Sequence, residues 1–97
     1  MLEKDIEKTL FIEAKKHGGM ALKFISPTMA GVPDRLLLLP GGKIAFVELK
    51  SKGKTLRPLQ KKRKIQLQSL GFMVFVVDDK EQIGGVIDGI SKMSVVW

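Results

Sequence analysis

The stretch from Asp34 to Lys50 constrains this chain more than any other. Gly31-Val32-Pro33-Asp34 leads into an apolar run, Arg35-Leu36-Leu37-Leu38-Leu39, and Pro40-Gly41-Gly42 follows as a turn. A second run, Lys43-Ile44-Ala45-Phe46-Val47-Glu48-Leu49-Lys50, closes the block. Two strands joined by a Pro-Gly-Gly turn is the natural reading. The charges inside it are out of keeping with a plain core hairpin, which favours Val or Thr where Asp34, Glu48 and Lys50 stand. Side chains alternate along a strand, so Glu48 and Lys50 share one face and Leu49 takes the other. Pairing Leu39 with Lys43 leaves Pro40-Gly41-Gly42 as the loop and sets Asp34 across from Glu48. A loop one residue shorter turns the two carboxylates to opposite faces.

The flanking segments give the hairpin something to pack on. Leu2 to Lys16 reads as an amphipathic helix, with Leu2, Ile6, Leu10, Ala14 and the neighbouring Phe11 at helical spacing and His17-Gly18-Gly19 as its stop. His17 carries no chemistry in this reading. Glu3 and Glu7 lie one turn apart on one face of that helix. Met20 to Ile25 is a short strand candidate, and Ser26 to Pro33 is a loop stiffened by two prolines and one glycine. That loop holds Val32 extended and presents Asp34 at the mouth of the next strand. Leu56 to Leu70 forms a second helix, with Pro58 in its first turn and a buried stripe of Leu59, Ile65, Leu67 and Leu70. The unbroken apolar run Phe72 to Val77 predicts a fully buried strand. Asp78 to Ile90 contains a short helix, and the tail from Met93 to Trp97 is an edge strand or an interface. Helix, strand, strand, strand, helix, strand, helix makes one α/β domain over residues 1–97, with a central mixed β-sheet flanked by helices.

Composition narrows the partner. The net charge is +7, which favours a polyanion. Lys50, Lys52, Lys54, Arg57, Lys61, Lys62, Arg63 and Lys64 form the densest cationic stretch, and no acidic residue interleaves with them. A solvated helix face is the plain alternative to a phosphate-contacting surface there. The chain has no cysteine, so neither disulfides nor a thiolate zinc site enter, in keeping with a reducing cytoplasm. No apolar run approaches a membrane span, and the amino terminus is unlike a signal peptide.

Two nearby carboxylates beside a lysine suit a hard divalent cation, because Mg²⁺ and Mn²⁺ prefer oxygen ligands. Such a cation polarises a phosphodiester and acidifies a water. The residues alone leave a salt bridge of Asp34 or Glu48 with Lys50 equally open.

Gly31-Val32-Pro33-Asp34 followed by Glu48-Leu49-Lys50 resembles the PD-(D/E)XK nuclease signature. With Phe46-Val47 before it and Arg57-Pro58-Leu59-Gln60 opening the next helix, the pattern looks like the virus-type replication-repair nuclease branch, VRR-NUC, over nearly the whole chain. The resemblance implies a restriction-endonuclease-like core and a Mg²⁺- or Mn²⁺-dependent endonuclease. Asp34, Glu48 and the Leu49 backbone carbonyl would be metal ligands, Lys50 the catalytic lysine and Gln60 the helix glutamine that touches the site. Glu7, which precedes Leu10-Phe11 by three and four residues, would be the leading glutamate, with Glu3 as the near alternative. Lys52, Lys54, Arg57, Lys61, Lys62 and Lys64 would contact DNA. The resemblance is to stand-alone phage or prophage members acting in a bacterial or phage-infected host cell. Their likeness to Holliday-junction resolvases implies branched DNA, four-way junctions in particular, cut by a homodimer, with Met29 and Val95-Val96-Trp97 as candidate contacts. A catalytically inactive DNA-binding module on the same fold is the competing reading, and an RNA-binding or assembly protein with a structural salt bridge is a third.

Overall fold

The computed structural model describes residues 2–93. In chain order it holds helix α1 (Glu3–Lys16), strands β1 (Met20–Lys23), β2 (Arg35–Leu39) and β3 (Lys43–Leu49), helix α2 (Pro58–Ser69), strand β4 (Met73–Val77), a 3-10 turn over Lys80–Gln82 and helix α3 (Ile83–Ser91). The strands make one mixed sheet in the order β1-β2-β3-β4. The first three are antiparallel neighbours, while β4 runs parallel to β3. That last pairing requires a crossover, and α2 supplies it. The hairpin register pairs Leu39 with Lys43 and Arg35 with Val47, as the loop arithmetic requires. Both turn glycines, Gly41 and Gly42, have positive φ.

One face of the sheet carries the core. Leu37, Ala45, Val47, Leu49 and Val77 point from the strands into Ile6, Leu10 and Ala14 of α1 and Ile83, Val86, Ile87 and Ile90 of α3. Glu3 and Asp5 at the start of α1, and Lys15 and Lys16 at its end, complement the helix dipole. His17 sits at the C-cap, its Nδ1 2.8 Å from the Glu13 carbonyl. The buried stripe of α1 is narrower than its apolar content suggested, because Leu2 and Phe11 are exposed. Phe11 overhangs the edge strand β1 and lines a shallow hollow with Met20 and Ala21.

The other face is covered unevenly. Phe46 at its centre makes edge-to-face contacts with Phe24 at 5.8 Å and Phe72 at 5.6 Å. The expected buried stripe of α2 does not form. Gln60 is the helix's one buried residue, while Leu59, Ile65 and Leu70 are exposed and Leu67 is half-buried. Ile65 lies off the face that Leu59, Leu67 and Leu70 share, and that face meets the loop over residues 29–32 rather than the sheet. The fully buried reading of the last strand is also corrected. Among the described residues β4 is an edge strand, and only Val74 and Val77 are buried along it. The expected tail strand, from 94 to 97, lies outside the described residues.

Candidate active site

Asp34 is fixed from three directions. The loop before it needs Gly31, whose φ is +84° and where a Cβ would stand 2.7 Å from Leu59 Cγ. Arg63 Nε donates to the Ala30 carbonyl at 2.8 Å, so the loop is fastened to α2. The Asp34 carbonyl accepts from the Phe24 amide at 2.8 Å, extending the β1–β2 pairing. Its carboxylate oxygen Oδ1 accepts from the Leu49 amide at 3.1 Å, across the hairpin. The sequence thus places a stiff proline loop where it can deliver one acid to the open end of the β2–β3 pair.

Glu48 stands opposite on β3 and is only 6% exposed. Lys50 Nζ lies 3.7 Å from Glu48 Oε2, and Gln60 Nε2 donates to the same oxygen at 3.4 Å. Gln60 has a second task. Its Oε1 accepts from the Arg57 amide at 2.9 Å, closing the first turn of α2, which turns the side-chain amide inward. Asp34, Glu48, Lys50 and Gln60 therefore converge, from a loop, a strand and a helix start.

Their electrostatics are unbalanced. Burial pushes the Glu48 carboxyl up to about 7, and the Asp34 charge adds to the rise while Lys50 opposes it. Burial also raises Asp34, against the Leu49 amide and the Arg35 charge. The charge of Glu3 pushes both upward. Two carboxylates are thus gathered with less positive charge than their ionised forms need. A divalent cation would supply that charge. Among the described residues no three His, Cys, Asp or Glu side chains are grouped to hold a metal ion. Two carboxylates match the sparse protein share that Mg²⁺ takes, the rest coming from water and substrate phosphate.

Arg35 is the residue that sequence reasoning passed over. Its register partner is Val47, so it points to the α1 side, away from Glu48. There its guanidinium donates to Glu7 Oε2, and Nη1 reaches the Asp34 carbonyl at 2.9 Å and Oδ2 at 3.4 Å. Its Nε is buried without a hydrogen-bond partner. Glu7, expected at the metal, already has a cation of its own. Glu3 is the α1 carboxylate whose charge acts on both Asp34 and Glu48.

A protein of Acyrthosiphon pisum secondary endosymbiont phage 1, named "Putative nuclease p44", is 48% identical over 79 residues, which are 81% of this chain and 85% of that protein. The chain belongs to the VRR-NUC family. A solved structure described as a VRR_NUC domain is similar to it with a TM-score of 0.82 and 30% identity, over 89% of this chain and 94% of that one. The fold is therefore restriction-endonuclease-like, a four-stranded mixed sheet with three flanking helices. No family model matches.

Around the acidic end of this VRR-NUC fold lie the cations. Lys54, Arg57, Lys61 and Lys62 are exposed and Lys64 is half-buried. The loop after β3 is pinned: Lys52 Nζ bonds Asp79 Oδ2 at 2.9 Å and the Gly53 amide bonds Asp78 Oδ2 at 3.2 Å. Lys52, expected on DNA, is thus ion-paired here.

Proposed function

We propose that this chain is a divalent-metal-dependent endonuclease that hydrolyses phosphodiester bonds in branched DNA, Holliday-type four-way junctions above all. The observation that carries the reading is Glu48, a buried carboxyl raised to about 7 beside Asp34 with Lys50 and Gln60 turned toward it. A purely structural carboxylate is better served by full neutralisation than by a second acid. Membership of the VRR-NUC family and the phage relative named as a nuclease support the same chemistry.

In this reading Asp34, Glu48 and the Leu49 backbone carbonyl hold Mg²⁺ or Mn²⁺, and Glu3 stands as the helix carboxylate in reach, with Glu7 kept on Arg35. The bound cation supplies Lewis-acid polarisation of the phosphate and acidifies a water. Lys50 faces the same side of the strand as Glu48, where its ammonium orients the attacking water and offsets charge building on the phosphate oxygens. Gln60 holds the Glu48 carboxyl and positions the water by hydrogen bonding. Lys54, Arg57, Lys61, Lys62 and Lys64 carry the DNA backbone, which makes binding salt-sensitive. One chain holds one such site, so paired cuts in a junction call for a symmetric homodimer. The phage relative points to a bacterial or phage-infected cytoplasm, and among the described residues no helix is long and apolar enough to cross a membrane.

The test is incubation with junction, flap, duplex and single-stranded DNA in Mn²⁺, Mg²⁺ or EDTA. Metal-dependent cleavage of the branched forms, lost in Asp34→Asn and Lys50→Ala while binding is kept, supports the reading. Binding without cleavage under every metal replaces it with an inactive DNA-binding module.

A further inference from the structure

A second concavity has no carboxylate in its lining. It has a volume of about 360 Å³ and opens between the outer half of α2 and the preceding loop, lined by Met29, Val32, Arg63, Gln66, Leu67 and Leu70. Leu70 is 72% exposed and Met29 46%, so large apolar side chains stand uncovered at its rim. Arg63 forms part of the wall. Its Nε bonds the Ala30 carbonyl at 2.8 Å and its Nη1 bonds Gln66 Oε1 at 2.9 Å, which fixes the guanidinium plane in place. A fixed guanidinium is a stacking surface for a flat ring.

The surroundings select the occupant. No acidic residue occurs between Glu48 and Asp78, and Lys62 and Lys64 flank the hollow on the same helix, with Lys61 on the far side of it. A second copy of the chain is disfavoured, because a two-fold contact through this face sets those cations against their own equivalents. A ligand that is polyanionic along its length yet carries flat, largely apolar groups fits both halves of the surface. The helix rises about 10 Å from Gln60 to Leu67, on the order of three stacked nucleotides of one strand. Val32, in the wall, is two residues from Asp34.

We infer that the hollow between α2 and the Met29–Val32 loop seats an unpaired nucleobase of the strand whose phosphates run along α2. The inference rests on the nuclease reading above and adds to it a site for single-stranded or branch-point nucleotides.

Two end-labelled oligonucleotides of equal length and charge test it, one of thymidines and one of abasic residues on the same backbone. Binding by the full chain is measured in EDTA by fluorescence anisotropy, for wild type, Leu70→Ser and Met29→Ser. Wild type is expected to bind the thymidine strand about 3–10-fold more tightly than the abasic one. Both variants are expected to erase that preference and leave abasic-strand affinity unchanged, with unaltered circular dichroism. Equal binding of the two strands by wild type overturns the base pocket and leaves the nuclease reading standing. So does a wild-type dimer in sedimentation that Leu70→Ser dissociates, since the hollow is then a contact between copies. Failure to bind either strand at low salt overturns the pocket and removes the DNA-binding basis of the nuclease reading with it.

Discussion

Arg35 of β2 donates to Glu7 of α1 on the side of the sheet opposite Glu48, and the same guanidinium reaches the carbonyl and carboxylate of Asp34. One cation thus couples the packing of the first helix to the placement of a site acid. Removing either partner strands a part-buried charge. Arg35→Ala is expected to lower the unfolding free energy by about 2–4 kcal/mol in urea titrations. Glu7→Ala should cost a comparable amount, and the double variant less than the sum, because the two act as one pair. Additive losses contradict the coupling.

Glu48 makes stability depend on pH. Its carboxyl titrates near 4.5 in the unfolded chain and near 7 in the folded one. Between those values the folded state binds more protons, so stability falls as pH rises through the window. The loss is on the order of 3 kcal/mol for that group. Thermal melts of the metal-free chain should therefore drop from pH 5 to pH 7.5. Glu48→Gln should flatten that slope and melt higher at pH 7.5, and added Mg²⁺ or Mn²⁺ should raise the wild-type melt most at the alkaline end.

Gly31 and Gly42 separate backbone strain from steric contact. Both have positive φ, but a Cβ at Gly42 meets nothing within 4 Å whereas one at Gly31 collides with Leu59. Gly42→Ala is expected to cost about 1 kcal/mol. Gly31→Ala should cost more and also slow cleavage at least tenfold, since the loop that carries Asp34 must shift from α2. Equal costs, with cleavage unchanged, mean that the loop tolerates displacement.

Gln60 joins the capping of α2 to the acidic site. Gln60→Ala is expected to cost about 1 kcal/mol of stability and to depress kcat well beyond the effect on KM. A variant that loses stability alone reduces Gln60 to a cap.

Neutralising Lys61 and Lys64 tests the division between helix and hairpin. Lys61→Gln/Lys64→Gln should weaken DNA binding and reduce the slope of log K against log salt by up to about 2. Metal affinity, read by calorimetry, should stay as it was.

The hairpin was legible because its constraints are local. Loop length and alternation leave one register that brings Asp34 and Glu48 together, and Leu39 does pair with Lys43. Gln60 entered only through the resemblance to VRR-NUC nucleases, by way of Arg57-Pro58-Leu59-Gln60 at the start of α2. What failed depended on neighbours distant in sequence. The apolar run of β4 reads as buried, yet nothing in it tells that the strand lies at the sheet edge. Leu59, Ile65 and Leu70 read as core, but the face that Leu59 and Leu70 share meets the loop over residues 29–32 instead of the sheet, and Ile65 lies off that face. Glu3 and Glu7 share one helix face, so only the position of Arg35 across the fold distinguishes them. Arg35 itself was hidden as the first residue of a leucine run, although its alternation relative to Asp34 already placed it on the far side.

The lopsided sheet has an evolutionary consequence. Ile6, Leu10, Leu37, Val47, Leu49, Val77, Ile83 and Ile90 are nearly or wholly sealed on one side, and each must fit all the others. The opposite side answers to fewer neighbours. Drift among relatives should therefore concentrate at positions such as Leu22, Ile65 and Leu70, letting descendants retune which nucleic acid they grip without reopening the problem of how to fold.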